Sequence, residues 1–131
     1  IRKARMRIDI YDPQVTDDRM LELLQRRVEK GVDVRIMGKL ERKWNTGAFD
    51  ARPYPGKRLH VRAIIRDGRR AFIGSQSLRK LELDDRREVG VIIRDRNVVR
   101  KLQKTFERDW ARTEVSGARR KSDEKMLKKA A

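Results

Sequence analysis

The chain has 131 residues, no cysteine and a formal net charge of +16 at pH 7. This length suits one compact domain, the cysteine count excludes disulfides, and no apolar run approaches the about 20 residues of a membrane span. The positive charge favours polyanionic partners, and it does not distinguish a nucleic acid from an anionic membrane surface.

A β-α-β unit is predicted at the start of the chain. Apolar residues alternate with polar ones over 6–10, which is typical of a strand, and Asp12-Pro13 predicts its end. Thr16 is the expected N-cap of a helix that ends near Gly31. A second strand over 32–36 then gives a parallel pair with a right-handed crossover.

Residues 38–57 are rich in glycine and proline and are predicted to form a long loop. Loops of this length are uncommon unless they are functional or mobile. The loop contains three aromatic residues, Trp44, Phe49 and Tyr54. The sequence leaves two roles open for them, since they either face outward, at the mouth of a cleft or against a partner, or pack over the edge of the sheet.

His60 is the only histidine of the chain. It lies in an alternating run over 59–66, which is typical of a strand, so His60 and Arg62 point to the same face about 7 Å apart. An imidazole beside a guanidinium suits a phosphate group. The alternative is that His60 is structural and Arg62 belongs to a solvated basic face.

Asp67-Gly68 predicts a two-residue hairpin turn after this strand. Such a turn pairs Arg66 with Arg69 and places Ser75 opposite His60 on the returning strand. A glycine precedes Ser75, so backbone N–H groups there can approach a ligand closely. Asp67 is separated from His60 by roughly 23 Å of extended chain, so it is expected to be a turn residue or an ion-pair partner rather than a catalytic acid.

The remaining elements complete one α/β domain over residues 1–112. We predict a short helix over 77–83, a strand over 89–93 that is covered on both faces, and a helix over 95–112. The apolar residues of the last helix that are expected to face the core are Val98, Val99, Leu102, Phe106 and Trp110. The predicted architecture is an α/β/α sandwich with a mixed, largely parallel sheet, and residues 113–131 form a basic, frayed tail.

The run from His60 to Ser77 resembles the signature of the phospholipase D superfamily, which is His-x-Lys, four residues, Asp, six residues and Gly-Ser-x-Asn. His60, Asp67 and Gly74-Ser75 fall at the spacing of this signature. The run Glu88–Ile93 resembles the strand with an acidic residue that follows it in the family. The resemblance therefore implies a phospholipase D-like half domain.

Two positions depart from the family pattern. Arg62 stands where the family has lysine, and Ser77 stands where it has asparagine. The guanidinium is bulkier than an ammonium group, and serine offers fewer donors than asparagine. A weakened or lost activity is therefore one of the alternatives.

The resemblance implies a phosphodiesterase or phosphatidyltransferase that acts through a phosphohistidine. Carried over to this chain, His60 is the nucleophile or the acid, and Glu88 orients it. The alternative for Glu88 is an ion pair with a neighbouring arginine. Arg62, Ser75 and Ser77 bind the phosphate, and the reaction needs no metal or other cofactor.

This mechanism needs two histidines, and the chain supplies one. The second comes either from a second copy of the chain or from the other half of a longer protein. Because the chain begins at Ile1, we expect the C-terminal half of a two-motif enzyme similar to bacterial cardiolipin synthase or phospholipase D. The expected substrate is a phospholipid, and the protein lies in the cytoplasm or at the membrane surface. The alternatives are a homodimeric nuclease that acts on nucleic acid, and a non-catalytic half that binds phosphate.

Overall fold

The computed structural model describes residues 1–44, 47–56, 58–79 and 87–130, the last range with backbone alone at 114–125 and 127–130. Two helices and six strands follow one another in this part of the chain. They are β1 (Arg7–Val15), α1 (Asp18–Val28), β2 (Asp33–Leu40), β3 (Asp50–Arg52), β4 (Ala63–Arg66), β5 (Arg70–Gly74), β6 (Gly90–Ile93) and α2 (Arg96–Ala130), with a 3-10 turn at Arg42–Trp44.

The strands form one mixed sheet in the order β3-β2-β1-β4-β5-β6. The β1–β2 and β2–β3 pairs are parallel, whereas the other three pairs are antiparallel. A mixed α/β sheet is therefore confirmed, but the prediction that it is largely parallel is wrong. The reason is the β4–β5 hairpin, which joins the sheet antiparallel to β1 and carries β6 on its outer edge.

Each face of the sheet has its own apolar core, because successive side chains of a strand point to opposite faces. Leu21 and Leu24 of α1 pack with Ile8, Ile10 and Ile36 on one face. The residues of α2 pack on the other face, in a cluster that contains Tyr11, Met37, Ala63, Ile65, Val99, Phe106 and Trp110. The two helices therefore cover opposite faces, as the α/β/α prediction requires.

β1 continues through Asp12-Pro13, where the sequence predicted its end. Its pairing with β2 shifts register between Tyr11 and Gln14, and such an irregularity accommodates a proline that has no N–H to donate. Gly38 of β2 lies against this bulge, because a Cβ at Gly38 would be 1.7 Å from the carbonyl oxygen of Asp12. Asp12-Pro13, which the sequence predicted to end the strand, instead forms a bulge within a longer strand.

α1 begins one residue later than predicted. Asp17, not Thr16, is the N-cap, and its carboxylate accepts a hydrogen bond from the N–H of Met20 at 2.8 Å. Gly31 has the left-handed φ of +79° that a residue after a helix end often adopts.

Residues 38–57 are not one long loop, since β2 extends to Leu40 and β3 follows the 3-10 turn. The aromatic residues of this segment take both of the roles that the sequence left open. Phe49 is buried in the core under α1, and Trp44 packs against the same core. Tyr54 lines the cleft described in the next subsection.

The β4–β5 hairpin is present, but its loop is longer than predicted. Arg66 pairs with Arg70 rather than with Arg69, so three residues form the loop. Asp67 and Gly68 have φ values of +53° and +60°. The pairing is consequently shifted by one residue from the predicted register, which turns side chains to the opposite face of the returning strand.

The carboxylate of Asp67 fastens this loop to the start of β1. It accepts hydrogen bonds from the backbone N–H groups of Arg5, Met6 and Arg7, at 3.1, 2.8 and 3.0 Å. Partial burial opposes ionisation, but these backbone donors outweigh it and lower the pKa of Asp67 below 3.8. Asp67 is therefore a structural residue of the hairpin.

A buried arginine ties α2 to the sheet. The Nε of Arg35 donates to Asp9 at 2.6 Å, and its two terminal nitrogens donate to Glu107 at 3.0 and 2.6 Å. The guanidinium also lies over the rings of Phe106 and Trp110. The bonds from Arg35 lower the pKa of Glu107, so the network is charged at neutral pH.

α2 is longer than predicted, since it runs to Ala130 rather than ending at residue 112. Val99, Phe106 and Trp110 are buried as expected, but Val98 is 42% exposed and does not face the core. The division into a domain over 1–112 and a tail over 113–131 stays a prediction. Of the predicted helix over 77–83, residues 80–83 lie outside the described part of the chain, and 77–79 are not helical.

β6 is an edge strand, and the prediction that it is covered on both faces is wrong for a single chain. Val91 is 55% exposed and Ile92 is 68% exposed. Among the helices of the described ranges, none is both long and apolar enough to cross a membrane.

Replacing Asp67 by asparagine tests the fastening of the hairpin. The D67N variant keeps one acceptor and the positive φ but loses the charge, so we expect its free energy of unfolding at pH 7 to fall by about 1 kcal/mol. Because the folded-state pKa of Asp67 is lowered, this stabilisation is present above pH 3.8. It is lost as the pH falls through the folded-state pKa of Asp67. Urea unfolding should therefore show the difference at pH 7 and a smaller one near pH 2.5. A difference that grows towards low pH would contradict this role.

Candidate active site

A cleft of about 420 Å³ opens where the carboxyl ends of β1 and β2 meet the segment that leads into β4. β4 is antiparallel to β1, so the chain that enters β4 lies beside the end of β1. His60 and Arg62 belong to this entering segment, and both line the cleft. The sheet topology thus brings the only histidine to a concave surface, where it is exposed to solvent.

The charged side chains of the cleft are all basic. In the described part of the chain, the charged residues that line it are Lys39, Arg58, Arg62 and Arg79. They come from separate segments of the sequence, so no single sequence motif predicts that they line the same cleft. Such a cleft concentrates anions, because low-dielectric walls focus the field of charges of one sign.

Arg62 has donor capacity that the protein does not use fully. One terminal nitrogen lies 3.4 Å from the carbonyl oxygen of His60, which is a long hydrogen bond. Its Nε is buried, and no acceptor for it lies among the residues described here. A guanidinium can bind two oxygens of a phosphate through its terminal nitrogens.

Asp12 is a residue of this site that the sequence did not reveal. It is 1% exposed, and its carboxylate accepts hydrogen bonds from the hydroxyl of Ser77 at 2.6 Å and from the N–H of Leu78 at 2.5 Å. Burial raises the pKa of Asp12, although these bonds and the nearby charge of Arg62 oppose the shift. The carboxylate therefore holds the segment after β5 against the end of β1, beside the cleft.

Ser77 lines the cleft, but its hydroxyl points to Asp12. A hydroxyl has a single proton to donate, and the short bond to a buried carboxylate uses it. The geometry thus gives Ser77 a positioning role, whereas the sequence assigned it to phosphate binding. The N–H groups of Thr16 and Asp17 add to the same connection by donating to the carbonyl of Leu78 at 2.9 and 3.0 Å.

Ser75 and Glu88 lie together on the β5–β6 side. The hydroxyl of Ser75 donates to the carboxylate of Glu88, and the N–H of Ser75 donates to the carbonyl of Val89 at 3.0 Å. Neither side chain lines the cleft, and within the described ranges Glu88 makes no hydrogen bond to His60. The hairpin register explains this placement, because Gly74 lies opposite Arg62 and donates to its carbonyl at 3.1 Å, so Ser75 is no longer opposite His60 as predicted.

The site residues that were predicted from the sequence thus lie at three different places in the structure. His60, Arg62 and Ser77 meet at one cleft, Ser75 pairs with Glu88 beside it, and Asp67 is at the far end of the hairpin. The cations at 39, 58 and 79 were missed, and the only signal for them was the net charge of +16.

Removing the hydroxyl of Ser77 tests its bond to Asp12. We expect S77A to lower the free energy of unfolding by about 1–3 kcal/mol at pH 7, because a buried carboxylate loses a donor. The folded-state pKa of Asp12 is already raised, so the stability of the protein falls as the pH rises through this pKa. The bond from Ser77 matters most when Asp12 is ionised, because a buried carboxylate then needs the donor. Urea unfolding at pH 4 should give a smaller difference than at pH 7.

The matched control for this prediction is S75A, which removes an exposed serine hydroxyl from the same segment. Its effect should stay within about 0.5 kcal/mol, as for most surface substitutions. Equal effects of the two variants would show that the bond between Ser77 and Asp12 has no special weight.

The sequence matches the model of one known protein family. This family is described as "Cardiolipin synthase, PLD-like domain", and the match covers residues 1–110. No curated protein is significantly similar to the chain in sequence.

Several solved structures share the fold. NucT from Helicobacter pylori is 15% identical with a TM-score of 0.69, over 84% of this chain and 82% of that one. The phospholipase D family member Nuc from Salmonella typhimurium is 19% identical with a TM-score of 0.67, over 85% and 82%. A polyphosphate kinase from Porphyromonas gingivalis is 17% identical with a TM-score of 0.62, over 77% of this chain and 17% of that one. At these identities the likeness is one of fold.

Proposed function

We propose, because this chain belongs to the family of PLD-like domains and so to the phospholipase D superfamily, that it is a phosphodiesterase whose reaction takes place in the cleft around His60. One observation carries the proposal. The only imidazole of the chain is exposed in a cleft whose described charged side chains are all cations. This combination provides a nucleophile and charge stabilisation for an attack on phosphorus.

The proposed reaction has two steps. In the first, a nitrogen of neutral His60 attacks phosphorus, the P–N bond forms, and the P–O bond to the leaving alcohol breaks. A second histidine, as imidazolium, gives its proton to the leaving oxygen. In the second step this histidine takes a proton from water, and the hydroxide breaks the P–N bond and frees His60. An acceptor alcohol in place of water gives transfer instead of hydrolysis.

The cations of the cleft stabilise the charge that develops on the phosphate oxygens. Arg62 is two residues from His60 and lines the same cleft, so it is the first candidate to hold these oxygens. Lys39, Arg58 and Arg79 extend the positive field along the cleft. In this proposal Asp12 and Ser77 hold the wall of the cleft in place and do not contact the substrate.

We propose that the second histidine belongs to a second copy of this chain. This domain covers 82% of the chain of NucT and 82% of the chain of Nuc, so a unit of this size occurs on its own among its structural neighbours. Val89 and Ile92, beside and within the edge strand β6, are 76% and 68% exposed. Exposed apolar side chains on a sheet edge are typical of a surface that another chain covers.

The charge of the cleft supports a nucleic acid as substrate. One phosphodiester carries a single negative charge, whereas four cations line the cleft that contains His60. A chain of successive phosphates meets all of them, and binding by several phosphate contacts is the usual source of affinity for nucleic acids. A phospholipid diester is the second candidate, which the description of the matching family as a cardiolipin synthase domain favours.

Replacing His60 by alanine tests the assignment of the nucleophile. We expect H60A to lower the rate of diester cleavage by at least about 100-fold, because both covalent and acid–base chemistry depend on this ring. The assay uses labelled duplex DNA and phospholipid vesicles in parallel, and acid-labile phosphate on the protein is measured in single-turnover samples. The control is R69Q at the tip of the hairpin, which should retain activity.

The two substrates give different outcomes. DNA cleavage that weakens with salt supports the nucleic acid, and turnover of vesicles alone supports the phospholipid. Binding of inorganic phosphate without turnover of either substrate would contradict an enzymatic role. The variants R62K and S77N, which restore the family signature, would then show whether these two departures cause the loss of activity.

Mixing two forms of the chain tests the shared site. If two copies each supply one histidine, an excess of H60A over wild type converts active dimers into mixed dimers with one His60. We expect activity per wild-type chain to fall by at least about tenfold, because the acid or the nucleophile is then missing. Sedimentation velocity on the same samples reports the dimer. Activity that is only diluted by H60A would rule out a second copy as the source.

A further inference from the structure

A row of cations follows the exposed side of α2. Its members are spaced four residues apart and are Arg96, Arg100, Lys104, Arg108 and Arg112, all of them exposed. Each step of four residues rises about 6 Å and turns about 40° around the helix. The row, which we call the α2 stripe, is therefore about 24 Å long and lies within about 160° of the helix circumference.

The stripe is opposite to the side of α2 that packs on the sheet. Val99, Phe106 and Trp110 occupy that buried side. The two acidic residues of this part of the helix are also engaged there or at its margin. Glu107 binds Arg35, and Asp109 accepts a hydrogen bond from the hydroxyl of Tyr11 at 2.8 Å. In this part of α2, the acidic side chains therefore contact the sheet, whereas the basic side chains of the stripe face solvent.

The first part of the stripe has no ionic compensation. In the ranges that the structure describes, Arg96, Arg100 and Lys104 form no ion pair. Arg108 is 4.0 Å from Asp109, at the limit for a salt bridge. Three cations without an ion-pair partner in these ranges, at the start of the row, attract a partner of opposite charge.

We propose that the α2 stripe binds the phosphate backbone of a double-stranded nucleic acid. A duplex carries one negative charge per about 1.7 Å of its axis, so a row of cations about 24 Å long meets several phosphates at once. None of the stripe residues lines the cleft, so this is a second surface. The proposal goes beyond the cleavage of diesters and does not rest on catalysis by His60.

Two other polyanions fit this surface less well. Single strands are bound by stacking of bases on exposed aromatic rings, whereas Phe106 and Trp110 of α2 are buried. A helix that lies in a membrane interface inserts an apolar face, and the apolar face of α2 covers the sheet. Contacts to the phosphate backbone alone need neither feature, and they carry no sequence preference.

The helix continues beyond the stripe with the same sign of charge. α2 reaches Ala130, so its 35 residues are about 52 Å long. After residue 113 the sequence of the helix carries six further cations and three acidic residues. The helix therefore offers a long positively charged element to a linear polyanion.

The experiment measures binding without cleavage, in an H60A background. The test variant is R96Q/R100Q/K104Q, and the control is R19Q/R26Q/K30Q, which removes three exposed charges from α1 and its end. Glutamine has nearly the helix propensity of arginine and lysine, so both variants should fold, which circular dichroism checks. Fluorescence anisotropy gives the affinity for a 20-base-pair DNA duplex at several salt concentrations between about 50 and 200 mM.

We expect the slope of log affinity against log salt to become shallower by about 3 for the test variant, since each lost phosphate contact changes it by about 0.9. Its affinity near 100 mM salt should fall by at least about tenfold, and the control should change much less. A duplex of RNA should give the same pattern, and a single strand should bind more weakly.

Three results would overturn the proposal. One is equal weakening in both variants, which would mean that only net charge matters. Another is weakened binding to phosphatidylglycerol vesicles with unchanged binding to the duplex, which would make the partner a membrane. The third is a parent protein that does not bind duplexes at all. A protein that binds duplexes through the stripe but cleaves no diester would refute the proposed function and leave this inference intact.

Discussion

The buried carboxylate of Asp12 is the interaction on which the cleft depends. It lies at the bulge where β1 passes a proline, and it binds Ser77 and the N–H of Leu78 from a segment 65 residues later in the chain. A buried carboxylate is costly unless its oxygens are bonded, so these contacts fix the segment after β5 firmly against β1. Because Ser77 and His60 line the same cleft, the bond between Ser77 and Asp12 also fixes one wall of that cleft.

Two further carboxylates work in the same way in other parts of the fold. Asp67 fastens the hairpin loop to the N–H groups that precede β1, and Asp9 shares Arg35 with Glu107 of α2. A charge removed from water is stabilised only by good geometry with its partners. Several acidic residues in the described part of the chain thus join elements, whereas described arginine and lysine side chains line the cleft and lie on the surface.

Much of the fold follows from local patterns. Alternation predicts β1 and the hairpin, and the spacing of apolar residues predicts α1 and the start of α2, because a strand and a helix bury one face with different periods. The spacing of His60, Asp67 and Gly74-Ser75 indicated the superfamily that the match over residues 1–110 confirms. Errors occurred where local signals compete with tertiary contacts. Asp12-Pro13 is a bulge rather than an end, and the three-residue loop shifts Ser75 away from His60.

The sequence by itself determined the superfamily, the order of the strands and helices apart from β3, and the presence of a single histidine with an arginine two residues later. Only the tertiary structure decided which residues share the cleft, since Lys39, Arg58 and Arg79 are separated in sequence and meet because β4 runs antiparallel to β1. It also decided that Ser77 faces a buried carboxylate. The physical reason is that burial and charge proximity depend on which distant segments pack together, and no local pattern encodes this.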